Sequence, residues 1–146
     1  MNAIQLGFRR SLWIGASAAA ILLAGCADMS MSGGSKIMLS GSQQVPPVSV
    51  SGSGSGTITI GADKSVSGSV TTTGVAGVAA HIHMAARGSN GPVIVPLAKT
   101  GDGTWSVPAG ATLTDAQYAA YKAGNLYVNV HTAANKGGEV RGQIQP

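Results

Sequence analysis

Charge and aromatic rings are both scarce in this chain. Of its 146 residues 10% are charged and 4% aromatic, and Cys26 is the only cysteine. One cysteine excludes an intrachain disulfide and a cysteine-rich zinc site. Five acidic residues leave few candidates for general acid–base chemistry. A Gly-x-Ser-x-Gly elbow, a phosphate loop and a recognisable pair of carboxylates are all missing, so no enzyme activity is expected. Nine Lys and Arg give a formal charge of +4, but they form no cluster. With so few rings to stack on bases, no nucleic-acid interface is expected either.

The chain has one long apolar run, and it lies at the start. Arg9 and Arg10 precede an apolar stretch from Leu12 to Leu23, which has the length of a signal peptide and is short for a membrane span. The run ends in Leu22-Leu23-Ala24-Gly25-Cys26, which resembles a bacterial lipobox. That resemblance implies cleavage before Cys26 and lipidation of its thiol. Residues 1–25 then read as a lipoprotein signal peptide, residues 26–35 as the lipidated cysteine and a flexible tether, and residues 36–146 as the domain. Loss of Arg9 and Arg10 leaves seven basic residues against five acidic ones, a net charge of +2. The expected location is a bacterial cell envelope, on the periplasmic or cell-surface side. The membrane would be a partner through the lipid anchor, and Asp28 would permit the outer membrane. Met29 and Met31 read as tether residues, with soft copper ligation as the alternative.

From Lys36 onward short alternating stretches are separated by Gly-rich turns. Lys36–Leu39 and residues 56–60, 65–73, 78–84, 93–97, 104–107, 125–132 and 139–144 read as strands. Ser49–Ser55 reads as a loose Ser/Gly segment. One helix is expected over about 114–123, with Thr114 and Gln117 as a capping box, Leu113 and Tyr118 as a hydrophobic staple, and Gly124 as the stop. This pattern predicts an all-β fold, an antiparallel Greek-key-like β-sandwich or flattened barrel with one short helix.

All three histidines lie on two of these strands. In Ala80-His81-Ile82-His83-Met84 the histidines share one face, while Val78, Ala80, Ile82 and Met84 share the other. In the 125–132 strand Leu126, Val128 and Val130 oppose Tyr127, Asn129 and His131. If the strands are neighbours, His81, His83 and His131 meet on the non-core face. Imidazole nitrogens bind zinc or copper at about 2.0–2.1 Å, and three of them make a workable open site. The alternative is a metal-free polar cluster that braces the sheet, bonded to Asn129, Thr132, Glu139 or Arg141. Asn129, Glu139 and Arg141 are also the candidates for orienting the histidines. Glu139, Arg141 and Gln143 are expected to point outward. The Arg141 fork suits a carboxylate or phosphate, with a surface ion pair to Glu139 as the plainer reading.

Five stretches together carry a resemblance: Leu39-Ser40-Gly41-Ser42-Gln43-Gln44-Val45-Pro46-Pro47, Ala80-His81-Ile82-His83, Asn90-Gly91-Pro92-Val93, Tyr127-Val128-Asn129-Val130-His131-Thr132 and Gly137-Gly138-Glu139-Val140-Arg141-Gly142-Gln143-Ile144. In this order they resemble the CHRD domain, named after chordin, from about Lys36 to Gln145. The resemblance implies an extracytoplasmic binding module, whose partner here would be a metal ion or an envelope protein. A weaker resemblance, to Cu,Zn superoxide dismutase, rests on the His-x-His strand and the later Val-His strand. It implies copper ligation by His81, His83 and His131, and an anion-steering role for Arg141. A bridging histidine, a zinc-ligand cluster and a disulfide are absent, so a two-metal dismutase is not expected; a dismutase-like redox enzyme on a mononuclear three-histidine site is the third and least favoured alternative.

Overall fold

The structure, a computed structural model, describes residues 33–146. The expected signal peptide, Cys26 and most of the expected tether lie outside the described residues. Nine strands and one helix follow in order: β1 (Ser35–Ser40), β2 (Ser53–Ile60), β3 (Val66–Thr73), β4 (Gly77–Met84), β5 (Val93–Pro96), β6 (Ala98–Gly101), β7 (Thr104–Ser106), α1 (Asp115–Lys122), β8 (Leu126–Thr132) and β9 (Val140–Ile144). All the strand pairs are antiparallel, in the order β5-β4-β8-β9-β1-β2-β3-β7-β6. The two ends of that order, β5 and β6, are separated in the chain by Leu97 alone. Leu97 donates its N–H to Ala80 O of β4 at 2.9 Å. The sheet therefore curls until its ends meet, giving the all-β flattened barrel that the strand pattern predicts.

The inward residues of alternating strands fill the barrel. Ile37, Leu39, Ile58, Val70, Ile82, Leu126, Val128, Val130, Val140 and Ile144 are all fully buried. Trp105 closes one side of this core. Helix α1 begins with the expected capping box: Thr114 Oγ1 accepts from Gln117 N at 3.2 Å, and Gln117 Oε1 accepts from Thr114 N at 2.9 Å. Its C-terminus closes on Gly124 at φ +72°, where Gly124 N reaches Tyr121 O and Asn125 N reaches Ala120 O. The turn aims the chain directly into β8.

Four local expectations change. Strand β2 starts at Ser53, inside the segment read as loose, because ladder pairing needs no apolar side chain. Gly54 pairs with both Leu39 and Thr72, and a Cβ there would come within 3.0 Å of Thr72 Cγ2. Val78 is 65% exposed rather than facing the core, because a bulge sets Gly77 and Ala79 against the consecutive Thr132 and His131. Strand β6 was not expected; all four of its residues are exposed, so no alternation marks it. Finally, Glu139, Arg141 and Gln143 do not face water: every residue of β9 is buried.

Candidate metal centre

The burial of β9 follows from three loops that cover the outer face of β4, β8 and β9. They are residues 41–48, 85–92 and 133–138. Gln44 Nε2 donates to Asn129 Oδ1 at 2.7 Å, and Asn129 Nδ2 donates to Gly137 O at 3.0 Å. Gly138, at φ +124°, lies directly against the Asn129 amide, where a Cβ would overlap it. Beneath these loops is a second, polar core, and the histidines sit in it.

Strand register explains their meeting. His83 pairs with Tyr127, His81 with Asn129 and Ala79 with His131. Directly opposed residues share a face, so His131 is the diagonal neighbour of His81. Each of the three histidines presents a nitrogen within 4.8 Å of those of the other two. His81 Nδ1 and His131 Nε2 are 3.1 Å apart. Two imidazole nitrogens on one tetrahedral ion would be roughly 3.3 Å apart, from bonds of about 2.05 Å.

The second nitrogens of two of the rings are held by backbone carbonyls. His83 Nδ1 lies 2.9 Å from Gly91 O, and His131 Nδ1 lies 2.9 Å from Lys136 O. A carbonyl accepts only, so both Nδ1 atoms carry the hydrogen, and the lone pairs of His83 and His131 are at Nε2. His131 Nε2 accepts from His81 Nδ1. His83 Nε2 is buried and has no hydrogen-bond partner among the described residues. Burial, above all, lowers the pKa of His81 and His83. The neighbouring imidazoles push the same way, as does Arg141 on His83, while the Gly91 bond opposes. Both rings are therefore neutral at neutral pH and keep their lone pairs.

This has a consequence for stability. Protons bind the unfolded chain first as pH falls through the ordinary histidine value of 6.5, because the folded-state values lie below it. Unfolding is therefore favoured as pH drops below that value. The urea midpoint of metal-free protein is expected to fall between neutral and mildly acidic pH, and a midpoint that rises would contradict the neutral-imidazole assignment.

His83 is further fixed by stacking. Its ring lies parallel to Tyr127, 8° between planes and 4.9 Å between centres. The Arg141 guanidinium carbon sits 3.5 Å from the centre of the Tyr127 ring. Tyr127 Oη accepts from Gly91 N at 3.2 Å. Arg141, 1% exposed, donates to Ser89 O and Asn90 Oδ1 through Nη1 and to Ala86 O and Gln143 Oε1 through Nη2. It makes no ion pair with Glu139. Among the described residues the one salt bridge is Lys64–Asp115. Glu139 instead accepts from Thr132 Oγ1 at 2.6 Å and Asn135 Nδ2 at 3.1 Å, fixing the 133–138 turn that presents Lys136 O to His131.

The sequence reading named the three histidines, Asn129, Glu139 and Arg141. It assigned no role to Tyr127, Gln44 or Gly91. Tyr127 could have been found: by the period of two it shares the face of Asn129 and His131. Gln44 and Gly91 come from covering loops, which strand periodicity does not describe. A family model for the CHRD domain matches residues 36–144. No curated protein and no solved structure matches the chain.

Proposed function

The chain belongs to the CHRD domain family, and on that footing we propose that its domain is a metal-binding module in which His81, His83 and His131 hold one copper or zinc ion. One observation carries this reading: among the described residues the buried lone pair of His83 Nε2 has no partner, and its ring belongs to a cluster in which one nitrogen of each histidine lies within 4.8 Å of the others. Leaving such a group unsatisfied costs about 1–3 kcal/mol. A metal ion would satisfy it and would take up the lone pairs of His131 Nε2 and His81 Nδ1 as well. His81 would carry its proton at Nε2 in that state. Copper and zinc both suit three imidazoles with an open fourth position, and binding strength generally favours copper. Asn129, Glu139 and Arg141 would act from outside, by fixing the loops whose carbonyls orient His131 and His83. The reading is of binding and not of catalysis.

The test is a titration of metal-free protein with Cu(II) and with Zn(II) against a competing chelator. His81→Ala/His83→Ala serves as the control. One tightly bound equivalent that disappears in the control supports the proposal. A parent that binds no better than the control defeats it. The histidines would then be read as a brace, for which the 3.1 Å His81–His131 bond is the favouring observation. The domain would be a metal-free structural or protein-interaction module.

We place this module at a bacterial envelope membrane, anchored through Cys26. The support is the lipobox-like Leu22–Cys26 and the single cysteine. Mass spectrometry of the membrane fraction is expected to find a mature chain that starts at Cys26 and carries acyl groups. Cys26→Ser is expected to abolish them. An unmodified chain beginning at Met1 would refute the anchor.

A further inference from the structure

A cavity lined by none of the histidines lies among the covering loops. It has a volume of about 390 Å³ and opens between the 41–48 segment, the 85–92 loop and β9. That is within the range of about 300–1,000 Å³ typical of small-molecule sites. Arg87 and Arg141 both line it, and its wall carries no carboxylate. Glu139, the acid that precedes β9, is committed to Thr132 and Asn135. Arg141 is thus a buried cation whose bonded acceptors are all neutral.

A guanidinium removed from water without an anion is costly, and carbonyl dipoles offset only part of that cost. The arrangement leaves a positive field at the cavity wall, with burial and the nearby Arg87 both disfavouring the charged Arg141. Arg87 is exposed, and among the described residues its side chain makes one hydrogen bond, a long one from Nη1 to Gln43 Oε1 at 3.3 Å. The rest of its fork is free to take a planar two-oxygen partner. Val45 and Pro47 add apolar surface to the lining, which suits a carbon skeleton better than a bare oxyanion.

We propose that the cavity between Arg87 and Arg141 is a binding site for a small organic carboxylate. Arg87 grips the carboxylate by its fork, and the buried Arg141 supplies fixed positive charge behind it. Val45 and Pro47 receive the apolar end. The proposal does not rest on metal binding, although the 85–92 loop joins the two places by carrying both Arg87 and the carbonyl that holds His83.

The test is equilibrium dialysis of the metal-free full chain against radiolabelled acetate, butyrate and benzoate. Benzamide serves as a neutral isostere and inorganic phosphate as a bare oxyanion. The expected result is saturable binding of at least one carboxylate, weakened by salt and absent for benzamide. Arg87→Gln, a surface change, is expected to weaken it roughly tenfold or more by removing a charge-assisted two-point contact. His81→Ala/His83→Ala is expected to keep it, which separates this site from the metal reading. Saturable binding of none of the three carboxylates overturns the proposal. So does equal affinity for benzamide, phosphate bound more tightly than every carboxylate, or unchanged binding in Arg87→Gln.

Discussion

His83→Ala is expected to lower metal affinity by roughly a hundredfold or more, beyond the 10–100-fold typical of losing an outer partner. The same change is expected to have a small effect on the metal-free fold. It removes a ring that stacks on Tyr127 and a bond to Gly91 O, together worth about 1–3 kcal/mol. It also removes the buried unpartnered nitrogen, which offsets part of that loss. The contrast between the two readouts separates a ligand from a brace. Thermal unfolding measured with and without metal gives both. The parent should gain about 2.7 kcal/mol at a hundredfold excess of free metal over the dissociation constant, and the variant should gain close to nothing. A variant that keeps the metal-dependent shift removes His83 from the ligand set.

Arg141→Ala is expected to cost about 1–3 kcal/mol of stability in the metal-free protein for each buried acceptor that it leaves without a donor. Ala86 O and Ser89 O would lose their donor, and Tyr127 would lose the cation on its ring. The damage should not stop at the fold. The 85–92 loop also carries Gly91 O, so loosening it frees His83 to rotate, and metal affinity should drop about 10–100-fold. Arg141→Lys is expected to rescue neither property, because a single ammonium cannot reach four acceptors in a plane. Urea denaturation and chelator competition on both variants give the answer. Full metal affinity in a folded Arg141→Lys protein would refute the positioning role.

The histidine face was legible because a strand has a period of two. His81, His83, Asn129 and His131 alternate with Ala80, Ile82, Val128 and Val130, and pattern alone puts them on one side. The helix was legible for a similar local reason, since Thr114, Gln117 and Gly124 act within one turn of themselves. What covers the polar face was not legible. Periodicity tells which way Arg141 points but not what lies there, and a charged residue on a non-core face reads as solvent-facing. The covering comes from residues 41–48, 85–92 and 133–138, which are distant in sequence and carry no apolar pattern. Val78 illustrates another gap. The bulge at Gly77 shifts parity by one residue, so a valine that alternation sends inward emerges into water. Strand β6 illustrates the last, for Ala98-Lys99-Thr100-Gly101 is exposed throughout and joins the sheet by pairing with β7, which no apolar alternation announces.

The position of β9 between β8 and β1 also bears on how the molecule is made. Ser40, near the start of the domain, pairs with Arg141, five residues before Pro146. Until β9 has left the ribosome, β1 and β8 each present an open edge. The polar core also lacks the arginine that fastens the 85–92 loop. Such distant pairing makes closure slow compared with local folding. The domain therefore has no stable halfway form to occupy during synthesis. A chain truncated after Thr132 should behave as an aggregation-prone polypeptide and not as a smaller barrel.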